Sequence, residues 1–384
     1  MRGDRYRWTI LSAGVVAQAS FSALFLGLSA LAPAIVRKYD LSLTEVGVVL
    51  AAVNIGLVFT LLPWGLLADR VGEPAVVGVG LTGAAVALFG AAFATSFAAL
   101  VVALVLAGAL GGCVQSASGR AVMAWFGPAE RGLALGIRQT AVPLGGAVGA
   151  VALPPLAEGP GLRTAFLALA VTLEAAALVG VALLREGAAD ELAGHVGRPL
   201  RDRGLWLLCG ASTLYLATQF SIIGFVVLFL HGEHGFSTTA AAGVLAAIQV
   251  LGAAARILLG RWSDRLGTRI ALLRSVGIAL AAATALTAAL VGAPDPVLVP
   301  AFVVAGTLGL SWNGLSYTAA AERAGRAQSG AALGFQQTAL AAGSVVTPIV
   351  FAALVGATSW RVAFALAAVC PLAGYLALQP LVER

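Results

Sequence analysis

Long apolar segments alternate with short polar breaks along the chain. A helix needs about 20 residues to cross some 30 Å of hydrocarbon, and twelve segments are long enough. The segments are rich in alanine and leucine and lack the alternation of a membrane β-barrel. We therefore predict an all-α membrane protein with twelve transmembrane helices near 9–36, 45–67, 74–95, 97–125, 132–156, 162–184, 204–230, 238–262, 270–292, 297–321, 330–355 and 361–381.

Composition supports a membrane protein. Hydrophobic residues make up 60% of the 384 positions and charged residues only 10%, against about 25% charged residues in an ordinary soluble domain. The net charge of +6 is spread along the chain and does not indicate nucleic-acid binding. The three cysteines lie in apolar segments without a Cys/His cluster, so we expect no metal and no cofactor.

The longest polar break divides the twelve spans into two sets of six. We predict an N-terminal bundle at 1–184, a cytoplasmic central loop at 185–203 and a C-terminal bundle at 204–384. Most basic residues fall on the side of the N-terminus, which by the positive-inside rule places both termini and the central loop in the cytoplasm. We expect a multi-pass protein of the cytoplasmic membrane. The basic residues on the other side are Arg37, Lys38, Arg163 and Arg361.

The two halves resemble each other. Residues 65–72 match 260–267, and residues 135–141 match 333–339. Because six spans return the chain to the same side, these are parallel repeats. Such repeats are one architecture of secondary transporters, in which the substrate binds between the halves.

The repeated loop is similar to the cytoplasmic signature of the major facilitator superfamily, and the resemblance covers nearly the whole chain. It implies two pseudo-symmetric six-helix bundles that alternate between inward-open and outward-open states. The family's arginine early in span 4, which is linked to proton coupling, is absent. We assign the signature residues, with an arginine between spans 4 and 5, to gating; the alternative is that they only anchor loops. They are Gly65, Asp69, Arg70, Gly72, Gly260, Asp264, Arg265, Gly267 and Arg131.

Carboxamides are concentrated in spans 1, 2, 4, 5, 7, 8, 10 and 11. Because a carboxamide that faces lipid is costly, we expect these groups to line a wet cavity with contributions from both halves. Hydrogen bonding between helices is the alternative for any single one. The candidates, with a tryptophan at similar depth, are Gln18, Asn54, Gln115, Gln139, Gln219, Gln249, Trp312, Asn313, Gln336 and Gln337.

Two arginines at depth break the repeat. Arg138 corresponds to Gln336, and Arg256 corresponds to Leu61. A guanidinium fits a carboxylate with two hydrogen bonds, so both are candidate anion ligands; snorkelling to the interface is the alternative. Arg256 also resembles the span-8 arginine of monocarboxylate transporters. Glu174, midway along span 6, is a candidate protonation site.

We therefore predict a transporter for a small organic anion such as a carboxylate, with efflux of amphipathic compounds as the alternative. An enzyme is disfavoured because no cluster of acidic residues could hold a metal or a phosphate, and a channel because no filter sequence occurs. The expected partners are the lipid bilayer and a small-molecule substrate. We expect a monomer and no nucleic acid, and leave open whether a proton or another ion couples transport. Replacing Arg138 with alanine should abolish transport.

Overall fold

The structure is a computed structural model that describes residues 2–115, 125–126, 131–185, 202–324 and 329–382. Every regular element in those ranges is a helix, in agreement with the predicted all-α class. Side chains are described throughout these ranges except at 2–5, 62, 69, 131–133, 135–136 and 329–331.

The first half contains six described helices. A π-helical turn, Ala157–Gly161, joins the last two of them and ends at Gly161 with φ +108°, a backbone conformation that favours glycine. The helices are α1 (Arg2–Tyr39), α2 (Leu43–Val71), α3 (Glu73–Ala92), α4 (Phe97–Gly111), α5 (Arg131–Leu156) and α6 (Leu162–Leu183).

The second half contains eight described helices, because two predicted spans are each made of two. Span 7 is interrupted at Gly224 and Phe225, and span 10 at Trp312. The helices are α7 (Arg203–Ile223), α8 (Val226–His234), α9 (Thr238–Leu266), α10 (Ile270–Ala289), α11 (Asp295–Ser311), α12 (Asn313–Ala324), α13 (Ser329–Ala357) and α14 (Trp360–Leu378).

Eleven described helical stretches are long and apolar enough to cross a membrane. One of them, Ile137–Leu183, has 47 residues and would extend for about 70 Å as a straight helix, more than twice the hydrocarbon thickness. It contains α5 and α6 on either side of the π-helical turn, so the stretches are consistent with twelve transmembrane helices.

Serine side chains start several of the helices. Each accepts a hydrogen bond from the backbone N–H three residues further on, which satisfies one of the donors left free in the first turn. Ser42 and Ser237, the caps of α2 and α9, are equivalent in the repeat. The other two caps of this kind are Ser96 and Ser359.

The described chain forms two compact units, Met1–Leu192 and Ala193–Arg384. In the first unit α2 and α4 cross with their backbones almost in contact: a Cβ added to Gly108 would lie 2.0 Å from the Val53 carbonyl oxygen. The equivalent crossing of α9 and α11 places Gly306 against the Ile248 side chain in the second unit. The repeated sequence therefore produces a repeated helix contact.

We predict that Gly108→Ala destabilises the first unit, because the added methyl group would force α2 and α4 apart. Overpacking of this kind costs about 1–3 kcal/mol. Gly90→Ala in α3 is the matched control, since no described atom lies within 4 Å of a Cβ there. The free energy of unfolding, measured by denaturant titration in detergent, should fall for Gly108→Ala only; equal values for both variants would contradict the crossing.

Candidate functional site

Arg138 is buried in the first unit, on α5. Its Nη2 donates to the Gln18 Oε1 atom of α1 at 3.0 Å and to the carbonyl oxygens of Val114 and Gln115 at 3.2 and 3.4 Å. These two carbonyls belong to the residues that follow Gly111, where α4 ends. Arg138, the predicted anion ligand, therefore also donates hydrogen bonds to the backbone of span 4.

The corresponding position in the second unit holds a neutral cluster. Gln336 on α13 donates to the hydroxyls of Ser212 at 3.3 Å and of Ser316, and the two hydroxyl oxygens are 2.5 Å apart. Gln336 occupies the position of Arg138 in the repeat, and Ser212 lies on α7 in span 7, the counterpart of span 1. The hydrogen bond between spans 5 and 1 therefore has a counterpart between spans 11 and 7. In the second unit the donor is an amide rather than a guanidinium.

In the second unit Arg256 donates hydrogen bonds to the backbone of span 10. It lies on α9, and both its Nε and its Nη2 donate to the Leu310 carbonyl oxygen, at 3.2 and 3.0 Å. Nη2 also donates to the Asn313 Oδ1 atom at 3.0 Å. Leu310 and Asn313 lie on the two sides of the interruption in span 10, so the guanidinium joins the end of α11 to the start of α12.

Span 4 has a turn at Gly112 and span 10 a break at Trp312, within two positions of each other in the repeat, and an arginine bonds to the backbone near each. In the sequence Gln115 corresponds to Asn313, and both lie at these sites. The carbonyls at the end of a helix carry partial negative charge, which stabilises a nearby cation. The structure thus brings Arg138, Gln18 and Gln115 together in one unit and Arg256 and Asn313 in the other.

Two of the predicted carboxamides lie beside the tight helix crossings. Asn54 on α2 is 2% exposed and Gln249 on α9 is 0% exposed. Among the described residues, no partner is present for the Asn54 amide nitrogen or for either polar atom of the Gln249 side chain. Unsatisfied buried amides are rare because each costs about 1–3 kcal/mol.

A second set of buried polar groups surrounds the interruption of span 10. Trp312 is fully buried with its ring 5.8 Å from that of Tyr215. Its indole N–H, like the Gln219 Oε1 atom, has no partner in the described part of the chain. Gln219 on α7 lies against Gly309, since a Cβ there would be 3.4 Å from the Gln219 Cα.

The remaining two predicted carboxamides lie on α5 and α13. Gln337 accepts a hydrogen bond from the Tyr317 hydroxyl of α12, and Gln139, its counterpart, is half-buried. Tyr317, Ser212 and Ser316 are polar residues of the second unit that sequence reasoning missed. No sequence pattern set these three hydroxyl groups apart from the other serines and tyrosines of the spans.

The second glycine of each copy of the repeated loop has a positive φ angle. Gly72 has φ +81° with ψ 159°, and Gly267 has φ +65°, conformations that cost other residues about 1–3 kcal/mol. By contrast, no described atom lies within 4 Å of a Cβ placed at Gly65 or Gly260.

The acidic residue of the second loop copy is paired within its own unit. Arg269 contacts the carboxylates of Asp264 at 2.7 Å and Glu322 at 3.2 Å, and its Nη1 donates to the Ser263 hydroxyl. Burial opposes the charge on Arg269, but the bonds to Glu322 and Asp264 outweigh this effect and raise the pKa of Arg269.

The other gating candidates are only partly described. Arg70 and Arg265 are exposed. The side chains of Asp69 and Arg131 lie outside the described residues.

The chain matches the family model of the Major Facilitator Superfamily over residues 10–341. The chain belongs to the major facilitator superfamily. The transporter is 36% identical over 378 residues, 97% of its length, to an uncharacterised MFS-type transporter of Mycobacterium tuberculosis, of which it covers 84%. It is also 30% identical over 170 residues, 44% of its length, to the uncharacterised transporter YybO of Bacillus subtilis, of which it covers 39%.

Solved transporters share its fold. The structure of a bacterial homologue of the human lysosomal transporter Spinster superposes with a TM-score of 0.79 at 17% identity, covering 97% of this chain and 95% of that one. The nucleoside transporter NupG superposes with a TM-score of 0.74 at 15% identity, covering 98% of each chain. At these identities the likeness shows the fold alone. The transporter is therefore a multi-pass membrane protein that moves a small-molecule substrate.

Glu174, the candidate protonation site of the transporter, is half-buried on α6. The exposed residues Val171 and Leu178 lie on the same helix, three and four positions away. No described contact connects Glu174 with the two arginines or the carboxamides.

We predict that Arg256→Lys destabilises the second unit of the transporter. A lysine supplies a point charge rather than a planar fork, so it would not hold both Leu310 and Asn313, and losing such a bond costs about 1–3 kcal/mol. Arg261→Lys, at an exposed position on the same helix, is the control. Denaturant titration in detergent should show a lower free energy of unfolding for Arg256→Lys alone; a stability equal to that of wild type would contradict the proposed role at the interruption.

Proposed function

We propose that the transporter carries a small organic anion, such as a carboxylate, across the cytoplasmic membrane by alternating access, with both termini in the cytoplasm. The observation that carries this proposal is the pair of arginines at the interruptions of spans 4 and 10. Ionisable residues within membrane helices are expensive and typically mark a substrate or ion pathway. Interrupted helices at corresponding positions of two repeats are a known feature of transporter binding sites.

The chemistry around the arginines supports an anionic substrate. The hydrogen bonds described for Arg138 and Arg256 go to carbonyl and carboxamide oxygens, which orient the guanidinium groups. A carboxylate forms shorter and stronger hydrogen bonds with a guanidinium than a neutral oxygen does. An arriving carboxylate could therefore compete for the same N–H groups.

Buried amides add donors and acceptors for the rest of a polar substrate. Asn54, Gln249 and Gln336 each carry at least one polar atom without a partner among the described residues. A purely apolar drug would leave these groups unsatisfied. These groups therefore favour a substrate with polar atoms, and the preference for an anion rests on the two arginines.

Transport by reconstituted proteoliposomes tests the proposal. Uptake of radiolabelled small carboxylates would be compared with uptake of a nucleoside, a sugar, an amino acid and a lipophilic cation. We expect uptake of at least one carboxylate that other carboxylates inhibit. Transport of only the lipophilic cation would favour the efflux alternative, and transport of only the nucleoside, sugar or amino acid would also refute the anion proposal.

Arg138→Gln should reduce carboxylate kcat/KM by about ten- to a hundredfold, because a hydrogen bond to a charged group is worth about 1.5–3 kcal/mol. Glutamine retains an N–H for Gln18, so this variant preserves the fold better than alanine would. Arg138→Lys should recover part of the activity through its charge.

The matched control replaces an arginine that lies at the end of a transmembrane helix rather than within it. Arg163→Gln at the start of α6, where the guanidinium lies 4.0 Å from the centre of the Phe93 ring, should leave carboxylate kcat/KM nearly unchanged. If Arg138→Gln transports carboxylates normally while folding normally, the assignment of Arg138 to the anion site is wrong.

A further inference from the structure

Two histidines lie at the end of the second unit that the orientation proposed above places outside the cell. His231 and His234 occupy the last turn of α8, which is separated from α7 by the interruption at Gly224 and Phe225. Helix carbonyls at this end stabilise a positive charge. Histidine is the side chain that ordinarily changes charge between pH 5 and 8.

His234 contacts an oxygen atom with each of its ring nitrogens. Its Nδ1 lies 2.8 Å from Asp295 Oδ1, and its Nε2 lies 3.0 Å from the Val291 carbonyl oxygen. A neutral imidazole has one N–H, whereas an imidazolium has two. A carbonyl oxygen only accepts, and carboxyl groups in water are ionised at neutral pH. Both contacts are therefore satisfied together by the protonated ring.

The surrounding helices favour the charged pair. Asp295 is the first residue of α11, where the positive end of the helix dipole stabilises a carboxylate, and His234 is the last residue of α8. The His234 side chain is 13% exposed and that of Asp295 is 46% exposed. The pair thus joins two helix ends of complementary partial charge.

The other ionisable groups at this end contact different atoms. Glu233 accepts a hydrogen bond from the Trp360 indole at 2.9 Å, and His231 Nδ1 lies 2.7 Å from the Phe236 carbonyl oxygen. Arg361 lies beside Gly292 in the connection between α10 and α11. Carboxylates and guanidinium groups ordinarily keep their charge between pH 5.5 and 8, so a change of charge in this interval falls on the histidines.

We propose that His234, Asp295 and the Val291 carbonyl form a proton-binding site that fastens the outer segment of span 7 to the start of span 10. Proton loss removes one of the two donors of His234, so α8 loses a bond to Val291 or Asp295. The Glu233–Trp360 contact and the packing of Phe229 remain, which confines the loosening to the last turn of α8 and the start of α11. Only the assignment to the outer side rests on the proposed function.

Hydrogen–deuterium exchange of the full-length protein in nanodiscs tests the site. The reporting amides are those of Gly235 and Phe236, which both donate to the Leu230 carbonyl oxygen at the end of α8. After correction for intrinsic rates, we expect their protection to fall about tenfold between pH 5.5 and 8.0, the size expected for losing a charge-assisted hydrogen bond. Equal protection at the two pH values would overturn the proposal.

Three variants assign the effect to individual residues. His234→Gln should abolish the pH-dependent change, and Asp295→Asn should move it to lower pH because the imidazolium loses its counter-charge. His231→Gln, the matched control, should retain it, since the described contact of His231 Nδ1 is with Phe236 and not with Asp295 or Val291. A change that survives in His234→Gln, does not move in Asp295→Asn, or disappears in His231→Gln would overturn the proposal.

The wild-type pH titration and Asp295→Asn keep the test valid if His234→Gln fails to fold. Exchange is read on the protein without substrate, so the result is independent of whether the substrate is an organic anion. Failure of the anion proposal and failure of this proton site are therefore distinguishable.

Discussion

A helix that is interrupted within the membrane leaves carbonyl groups that need donors from another helix, a ligand or cavity water, because lipid supplies none. This constraint links the sequence of this transporter to its candidate site. Spans 4 and 10 are interrupted within two positions of each other in the repeat, and the donors are Arg138 and Arg256. The two charges are therefore part of the fold as well as candidates for function.

The two halves meet this constraint with different residues. In the first half the arginine comes from α5, and in the second it comes from α9. At the position equivalent to Arg138 the second half has Gln336, which bonds to Ser212 and Ser316 instead. Each half thus has an arginine that bonds to the backbone of its own span 4 or span 10, and the arginine comes from a different helix in each half.

The positions of the spans and the family could be predicted from the sequence. The lengths of the apolar runs match the thickness of the hydrocarbon layer, and the loop signature occurs in both halves. The predicted all-α membrane fold and the family are confirmed. The second glycine of each loop copy is explained by its positive φ. The bonds of Arg138 to Gln18 and of Gln336 to Ser212 were not predicted, because the sequence does not show which side chains of neighbouring spans meet.

The interruptions of spans 7 and 10 could not be read from hydropathy. Gly224 and Trp312 lie in apolar runs that continue on both sides, and hydropathy does not report where a backbone hydrogen bond is missing. The same limitation concealed the bond of Arg256 to Leu310. The cost of a carboxamide in lipid predicts that these groups avoid lipid, and Gln18, Asn54, Gln249 and Gln336 are buried. Their role in binding substrate remains a prediction.

The central claim is that the arginines at the interruptions of spans 4 and 10 bind the anionic substrate. The most direct measurement is the location of a bromine-labelled carboxylate by anomalous X-ray diffraction from crystals of the transporter. We expect a bromine peak next to Arg138 or Arg256, with the carboxylate in contact with the N–H groups of the guanidinium. A specifically bound carboxylate that contacts neither arginine would contradict it.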